Sequence, residues 1–242
     1  MGRHILDSVG STNAHGLALA KSLSAPAWFL AHEQSAGRGR RARAWASPRG
    51  NFHATLIMHP TEPAGVVALR SFAAALALRD ALVALTGLPE RLAQKWPNDV
   101  LVNGGKVAGI LLESVASDDR IAHLAIGIGV NLIAAPDPGL MEPGALPAAT
   151  LQGETGLRVT PEALLDHLAP AYAHWEAVFG AQGFAPLRQE WLAHAAKLGQ
   201  TIRARTGCQT RVGRFETVDA TGALILGTPE GQIAIPAAEV FF

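Results

Sequence analysis

The chain has 242 residues, 49% of them hydrophobic and 17% charged, with 20 Lys+Arg against 20 Asp+Glu and one cysteine. A charged share below the ~25% of average soluble domains excludes global disorder, and the length suits one catalytic unit of ~100–200 residues with a small appendage. Zero net charge argues against coating nucleic acid, and the single thiol, Cys208, can build neither an internal disulfide nor a cysteine metal cluster, which points to a small core or strand residue in a reducing cytoplasm.

Met1 to Ser11 lacks the apolar stretch of a secretion signal. The most apolar run, Ser71 to Leu85, is interrupted by Arg79 and Asp80, so a soluble chain with no membrane partner is expected. A strand is predicted near His4 to Leu6, followed by a helix that starts at Ser11, Thr12 or Asn13, all good N-cap residues, and runs to about Ser24 before Pro26. Trp28 to His32 and Phe52 to Met58 read as buried strands around a polar loop, Glu33 to Gly50. Val66 to Leu85 is the longest helical pattern and is apolar almost all round, as expected of a helix packed on a sheet.

Short strands at Arg91 to Lys95 and Val100 to Val102 flank the turn Trp96-Pro97-Asn98-Asp99. The hairpin signal Asn103-Gly104-Gly105 then leads into a strand from Lys106 to Ser114. A turn at Ser117 to Arg120 and a strand from Ile121 to Leu132 complete an antiparallel or mixed sheet. Ala134 to Pro147, with Pro136, Pro138, Pro143 and Pro147, reads as a surface loop. Helices are predicted at Pro161 to Phe179 and Pro186 to Lys197. After Gly199 come short strands with turns at Thr206-Gly207, Ala220-Thr221-Gly222 and Pro229-Glu230-Gly231. This stretch is too small to hold much core alone and is expected to dock on the main domain.

The balanced charge hides a local excess: Arg38, Arg40, Arg41, Arg43 and Arg49 lie between Gly37 and Arg49 without one acidic residue. Glycines 37 and 39 let backbone approach a ligand closely, the guanidinium forks suit phosphate or carboxylate oxygens, and Trp45 offers a stacking ring. The string alone fits either a solvated basic loop or an anion site. The Trp-Pro-Asn-Asp turn fits a structural or a binding role. Lys95, ending an apolar strand, costs desolvation unless an anion is present.

Gly109, in the strand opened by Lys106, and Gly127 and Gly129, in Ile126 to Asn131, imply close approach to backbone. The last pair lacks the third glycine and helix of a dinucleotide fingerprint. The nine histidines show no metal-ligand spacing, with packing or surface roles for His53 and His59, and no serine or cysteine elbow exists. The chemistry left is the positioning and neutralisation of anions by Arg and Lys.

Five motifs occur in order: Ser11-Thr12-Asn13; Gln34 with Gly37-Arg38-Gly39-Arg40-Arg41; Lys95-Trp96-Pro97-Asn98-Asp99; Lys106-Val107-Ala108-Gly109-Ile110-Leu111; and Gly127-Ile128-Gly129-Val130-Asn131. This ordered set resembles the biotin–protein ligases, strongly from Ser8 to Asn131 and more loosely to Val240. The resemblance implies an α+β fold, in which a mixed sheet with helices packed on one side, of class II synthetase type (1–195), precedes a small SH3-like β-barrel (196–242).

It also implies two steps: biotin attacks the α-phosphate of Mg2+-ATP to give biotinyl-5′-AMP, and a lysine of the biotin carboxyl carrier protein of acetyl-CoA carboxylase then displaces AMP. Carried over, Lys106, Arg40 and Lys95 are the catalytic cations. Ser11, Thr12, Asn13, Gln34, Gly37, Arg38, Gly39, Arg40, Lys106, Gly109 and Gly127 contact biotin. Arg40, Arg43, Trp45, Asn98, Lys106 and Asn131 contact ATP or the adenylate, and no residue is a dedicated metal ligand. Asp99 is a candidate base for the acceptor lysine, and Arg49 receives no role.

The resemblance further implies an arginine loop that is disordered when empty, its like charges preferring water. The chain starts at the strand before Ser11, without the helix-turn-helix domain of many bacterial members, so a ligase with no DNA partner is expected. Family members often dimerise, and the sequence does not settle whether this chain forms a homodimer. The alternatives are a lipoate or octanoate ligase of the same superfamily, or a nucleic-acid-binding module built on the arginine loop.

Overall fold

The computed structural model describes residues 1–117, 120–137, 139, 144–207 and 209–242. Cys208, Pro138, Pro143 and the Asp118-Asp119 part of the expected turn lie outside the described residues. Strands β1 (Gly2–Val9), β2 (Ala27–Gln34), β3 (Phe52–Met58), β4 (Leu92–Lys95), β5 (Asp99–Val102), β6 (Gly105–Ser117) and β7 (Arg120–Val130) form one sheet in the order β1-β2-β3-β7-β6-β5-β4. β1 runs parallel to β2 and every other pair is antiparallel, so the sheet is mixed as expected.

Alternation along β2 and β3 sorts the two faces. Trp28, Leu30 and Leu56 join the main core, against which pack α3 (Arg70–Thr86), α5 (Pro161–Gln182) and α6 (Phe184–Ala193). Phe29 and Ile57 point the other way, into a smaller cluster closed by Leu17 and Leu23 beside α1 (Thr12–Leu19). The long helices thus share one side, but α1 covers part of the opposite side, an addition to the one-sided layer expected. Gly16 fits it there, because a Cβ at this position would stand 2.7 Å from Ile57.

The expected helix at Val66 to Leu85 is two pieces, α2 (Ala64–Ala68) and α3. The chain tightens at Leu69, whose N–H reaches the Val66 carbonyl at 3.1 Å. Arg70 then turns inward, 4% exposed, and its guanidinium bonds Glu176 of α5 and Glu62 at 2.7 Å. A buried guanidinium requires such partners. A short helix, α4 (Leu151–Thr155), fills the segment between the proline-rich loop and α5. It is capped by Thr150, which accepts from the Gly153 N–H at 3.0 Å.

The C-terminal unit holds β8 (Thr201–Thr206), β9 (Gln209–Val218), β10 (Leu224–Thr228), β11 (Gly231–Ile235) and β12 (Glu239–Phe241), an antiparallel five-stranded sheet in the order β11-β10-β9-β8-β12. It docks on the large sheet's unit, as expected: Trp96, 3% exposed, donates its indole N–H to the Gly222 carbonyl at 3.0 Å. Gly222 in turn lies against Leu69 and Phe72.

Candidate functional site

Strand register assembles the site before any side chain is considered. On the face that carries α1, one row crosses the sheet through His53, Gly129, Gly109, Asp99 and Lys95. The next row pairs Thr55, Gly127 and Leu111. Glycines at the centre of these rows leave a depression, and above it opens a cavity of about 780 Å3. Ser11, Thr12, Asn13, Gln34, Arg38 and Gly39 line it, as do Arg40, Arg43, Trp45, Lys95, Asn98, Lys106, Gly109, Gly127 and Asn131. Of the residues expected there, Gly37 alone does not line it. A Cβ on Gly37 would stand 2.5 Å from the Ser47 hydroxyl, so this glycine packs the loop's base from behind.

The polar end is a directed hydrogen-bond chain. Thr12 N–H donates to the Gln34 side-chain oxygen at 2.8 Å, and the Gln34 amide donates to the Ser47 hydroxyl at 2.9 Å. Thr55, wholly buried in β3, lies 2.6 Å from the Asn13 amide oxygen and 2.7 Å from the Thr12 hydroxyl. An amide oxygen only accepts, so the single Thr55 proton goes to Asn13, while the one Thr12 hydroxyl proton is shared between Thr55 and the Gln34 side-chain oxygen at 3.1 Å. The Asn13 amide nitrogen donates to Glu113 at 2.8 Å, which sets the orientation of the side chain.

Trp45 lies on the floor of the cavity, against the glycines of the sheet. A Cβ on Gly129 would meet its indole at 2.5 Å and one on Gly109 at 3.3 Å, while the Asn13 amide covers Gly127. The glycine wall is therefore already faced by two side chains. The Trp45 indole nitrogen is buried without a partner.

At the opposite end Asp99, 7% exposed, binds the Lys106 ammonium at 2.7 Å and the Lys95 ammonium at 3.2 Å. Burial alone would push its carboxyl up, but Lys106 and Lys95 outweigh burial and hold it below the ordinary carboxylate range. Lys106 also stands 5.5 Å above the Trp45 ring. Arg40 reaches the Asn98 side-chain oxygen at 3.4 Å and the Ala238 carbonyl at 3.3 Å. Burial lowers its pKa, and the charge of Asp99 opposes that shift. Asn131, 3% exposed, ties the segment before α4 to the sheet by donating to the Ala149 carbonyl at 3.2 Å.

The arginine loop is anchored by ion pairs. Arg38 meets Glu113 at 3.4 Å, Arg41 meets Glu239 at 3.0 Å, and Arg43 pairs with the same Glu239. Arg49 grips Asp7 with two nitrogens, at 2.7 and 2.8 Å. Like-charge repulsion within the loop is thus relieved by carboxylates drawn from β1, β6 and β12. Burial raises the Glu239 carboxyl, yet Arg205, Arg43 and Arg41 outweigh burial and lower it. Thr55, Glu113, Ser47 and Glu239 were not anticipated as part of the site. Among the described residues no cluster of three His, Cys, Asp or Glu could hold a metal ion.

A mixed sheet with a cation-lined cavity and a small C-terminal β unit defines the class. Residues 6–131 match the biotin/lipoate A/B protein ligase family and 197–242 match the biotin protein ligase C-terminal domain. The chain belongs to this family. A biotin--[acetyl-CoA-carboxylase] ligase of Paracoccus denitrificans is 57% identical over 238 residues, covering 98% of this chain and 99% of the relative. The bifunctional ligase/repressor BirA of Bacillus subtilis (strain 168) is 32% identical over 245 residues, 99% of this chain and 74% of the relative. A solved biotin protein ligase from Aquifex aeolicus, in complex with biotin and ATP, superposes with a TM-score of 0.84 at 25% identity, covering 99% of this chain and 97% of that one.

Proposed function

We propose that the chain is a biotin–[acetyl-CoA-carboxylase] ligase, which activates biotin with ATP and passes it to a lysine of a biotin carboxyl carrier protein. The observation that carries this reading is one cavity joining a directed polar end to a cation end, in a chain 57% identical to a curated ligase of that activity over nearly its whole length. That relative and the Aquifex aeolicus complex favour biotin over a lipoyl substrate.

The polar end, Ser11, Thr12, Asn13 and Gln34, orients the ureido ring of biotin against the Trp45 floor. Biotin's carboxylate then reaches Lys106, Lys95 and Arg40. Two anions must meet, and cations already held in place cancel their repulsion and stabilise charge growing on the α-phosphorus without reorganising. The carboxylate oxygen bonds to phosphorus and pyrophosphate leaves; the carrier lysine then attacks the acyl carbon and AMP leaves. Mg2+ enters with ATP as part of that substrate.

In this reading residues 1–195 form the catalytic unit and 196–242 the appended unit. No helix among the described residues is long and apolar enough to cross a membrane, which accords with a cytoplasmic site of action. Incubation with ATP, biotin and apo carrier is expected to label the carrier lysine; absence of label overturns the reading.

A further inference from the structure

Glu239, Val240 and Phe241 of β12 line the cavity. Across the ladder Glu239 opposes Arg205 and Phe241 opposes Arg203. On β9, Val212 opposes Arg203 and Arg214 opposes Thr201 of β8. Directly opposed residues of an antiparallel pair share a face, so the face that carries Glu239 and Phe241 at the cavity wall continues across β8 and β9 as Arg203, Val212 and Arg214. The opposite face carries Ile202, Ala204 and Phe215, all buried.

This outward face is built differently from the rest of a charge-balanced molecule. From Gly199 to Phe215 the sequence has four arginines and no acidic residue. Arg203 and Arg214 are exposed and form no ion pair among the described residues. The Arg214 Nε donates to the Gly199 carbonyl at 2.9 Å, which holds its stem in place. The face's own acids are occupied: Glu239 by arginines, and Glu216 by the Gln232 amide at 2.6 Å. Between the cations sits Val212, 54% exposed. An apolar centre flanked by guanidinium groups is the composition of a protein contact surface, whereas nucleic acid binding calls for a longer cationic track.

From this continuity we infer that the Arg203–Val212–Arg214 face of the C-terminal sheet docks the acceptor carrier domain through carboxylates on that domain, so that its lysine enters the cavity past β12. The inference rests on the reading that the chain passes biotin to a protein lysine. Opposed charge at the rim speeds encounter and fixes orientation more than it strengthens the final complex.

The test uses the full chain with Arg203→Glu/Arg214→Glu and, separately, Val212→Glu. Biotin-dependent pyrophosphate exchange reads adenylate formation, hydroxylamine trapping reads its reactivity without a carrier, and labelling of the apo carrier reads docking. The expected result is a carrier KM raised about tenfold, with a flatter dependence of carrier kcat/KM on salt, while exchange and trapping stay at the parental level. An unchanged carrier KM in both variants overturns the inference, as does an equal loss in all three assays or affinity for DNA or RNA in place of carrier dependence. Should the parent chain form no adenylate from biotin, the functional reading itself fails, a result distinct from normal adenylate with unaltered docking.

Discussion

Thr55 shows how much a single hydroxyl governs at the polar end. Thr55→Val keeps the shape of the side chain but leaves the Asn13 oxygen, 2.6 Å away, without its donor. An orphaned buried acceptor costs about 1–3 kcal/mol, so the KM for biotin is expected to rise about tenfold or more while the KM for ATP holds. Thr55→Ser should restore it, and steady-state pyrophosphate exchange separates the two constants. At the cation end, Lys106→Ala is expected to slow adenylate formation by about 10²–10³, the range seen when one preorganised charge-stabilising group is removed. Single-turnover pyrophosphate release, with circular dichroism to confirm the fold, reads that outcome.

Asp99 is a poor general base near neutrality, because two ammonium groups keep it ionised and engaged. Its lowered pKa also makes a stability statement. A carboxyl depressed in the folded state contributes stability above its ordinary value of 3.8 and loses it as pH falls through the depressed value. The stability gap between the parent and Asp99→Asn, read by urea unfolding, is therefore expected to be constant at neutral pH and to close only below that ordinary value.

The arginine loop is the element held by the most distant partners in the sequence. Glu239→Gln should release Arg41 and hasten tryptic cleavage after it in the ligand-free loop. Because the Glu239 carboxyl lies below its ordinary 4.5, the anchor should hold through mildly acid pH and fail only as pH falls through the lowered value. The loop's charge was legible in five arginines without an acid, and so were the strands and the lysine-bearing turn, since periodicity and turn residues are local signals.

The partners were not legible, because they come from far along the chain. Glu239 sits in the last strand, Asp7 in the first, and Thr55 within Phe52–Met58, where a threonine reads as an ordinary strand former. The seat of Trp45 on the glycines was not legible for the same reason: only the register that sets Gly109 beside Gly129 makes a floor wide enough for an indole. The split at Leu69 depended on Arg70 finding Glu62 and Glu176, which no helical period encodes.

At the scale of the molecule, one small contact joins the two units close to the chemistry. Trp96, which bonds Gly222 of the C-terminal unit, is three residues before Asp99. Gly222 has φ +83, and a Cβ there would stand 2.9 Å from Leu69 and 3.1 Å from Phe72. Gly222→Ala is expected to cost about 1–3 kcal/mol and lower Tm, and to weaken adenylate formation with it, as differential scanning calorimetry beside pyrophosphate exchange would show.

β12 places Glu239, Val240 and Phe241 in the cavity wall, one residue short of Phe242. Any polypeptide joined after Phe242 therefore departs from the rim of the reaction chamber. An affinity tag or fused protein at that end would begin one residue past the cavity wall, whereas the same addition before Met1 leaves from the outer strand of the large sheet, β1. Turnover is therefore expected to tolerate a fusion before Met1 better than one after Phe242.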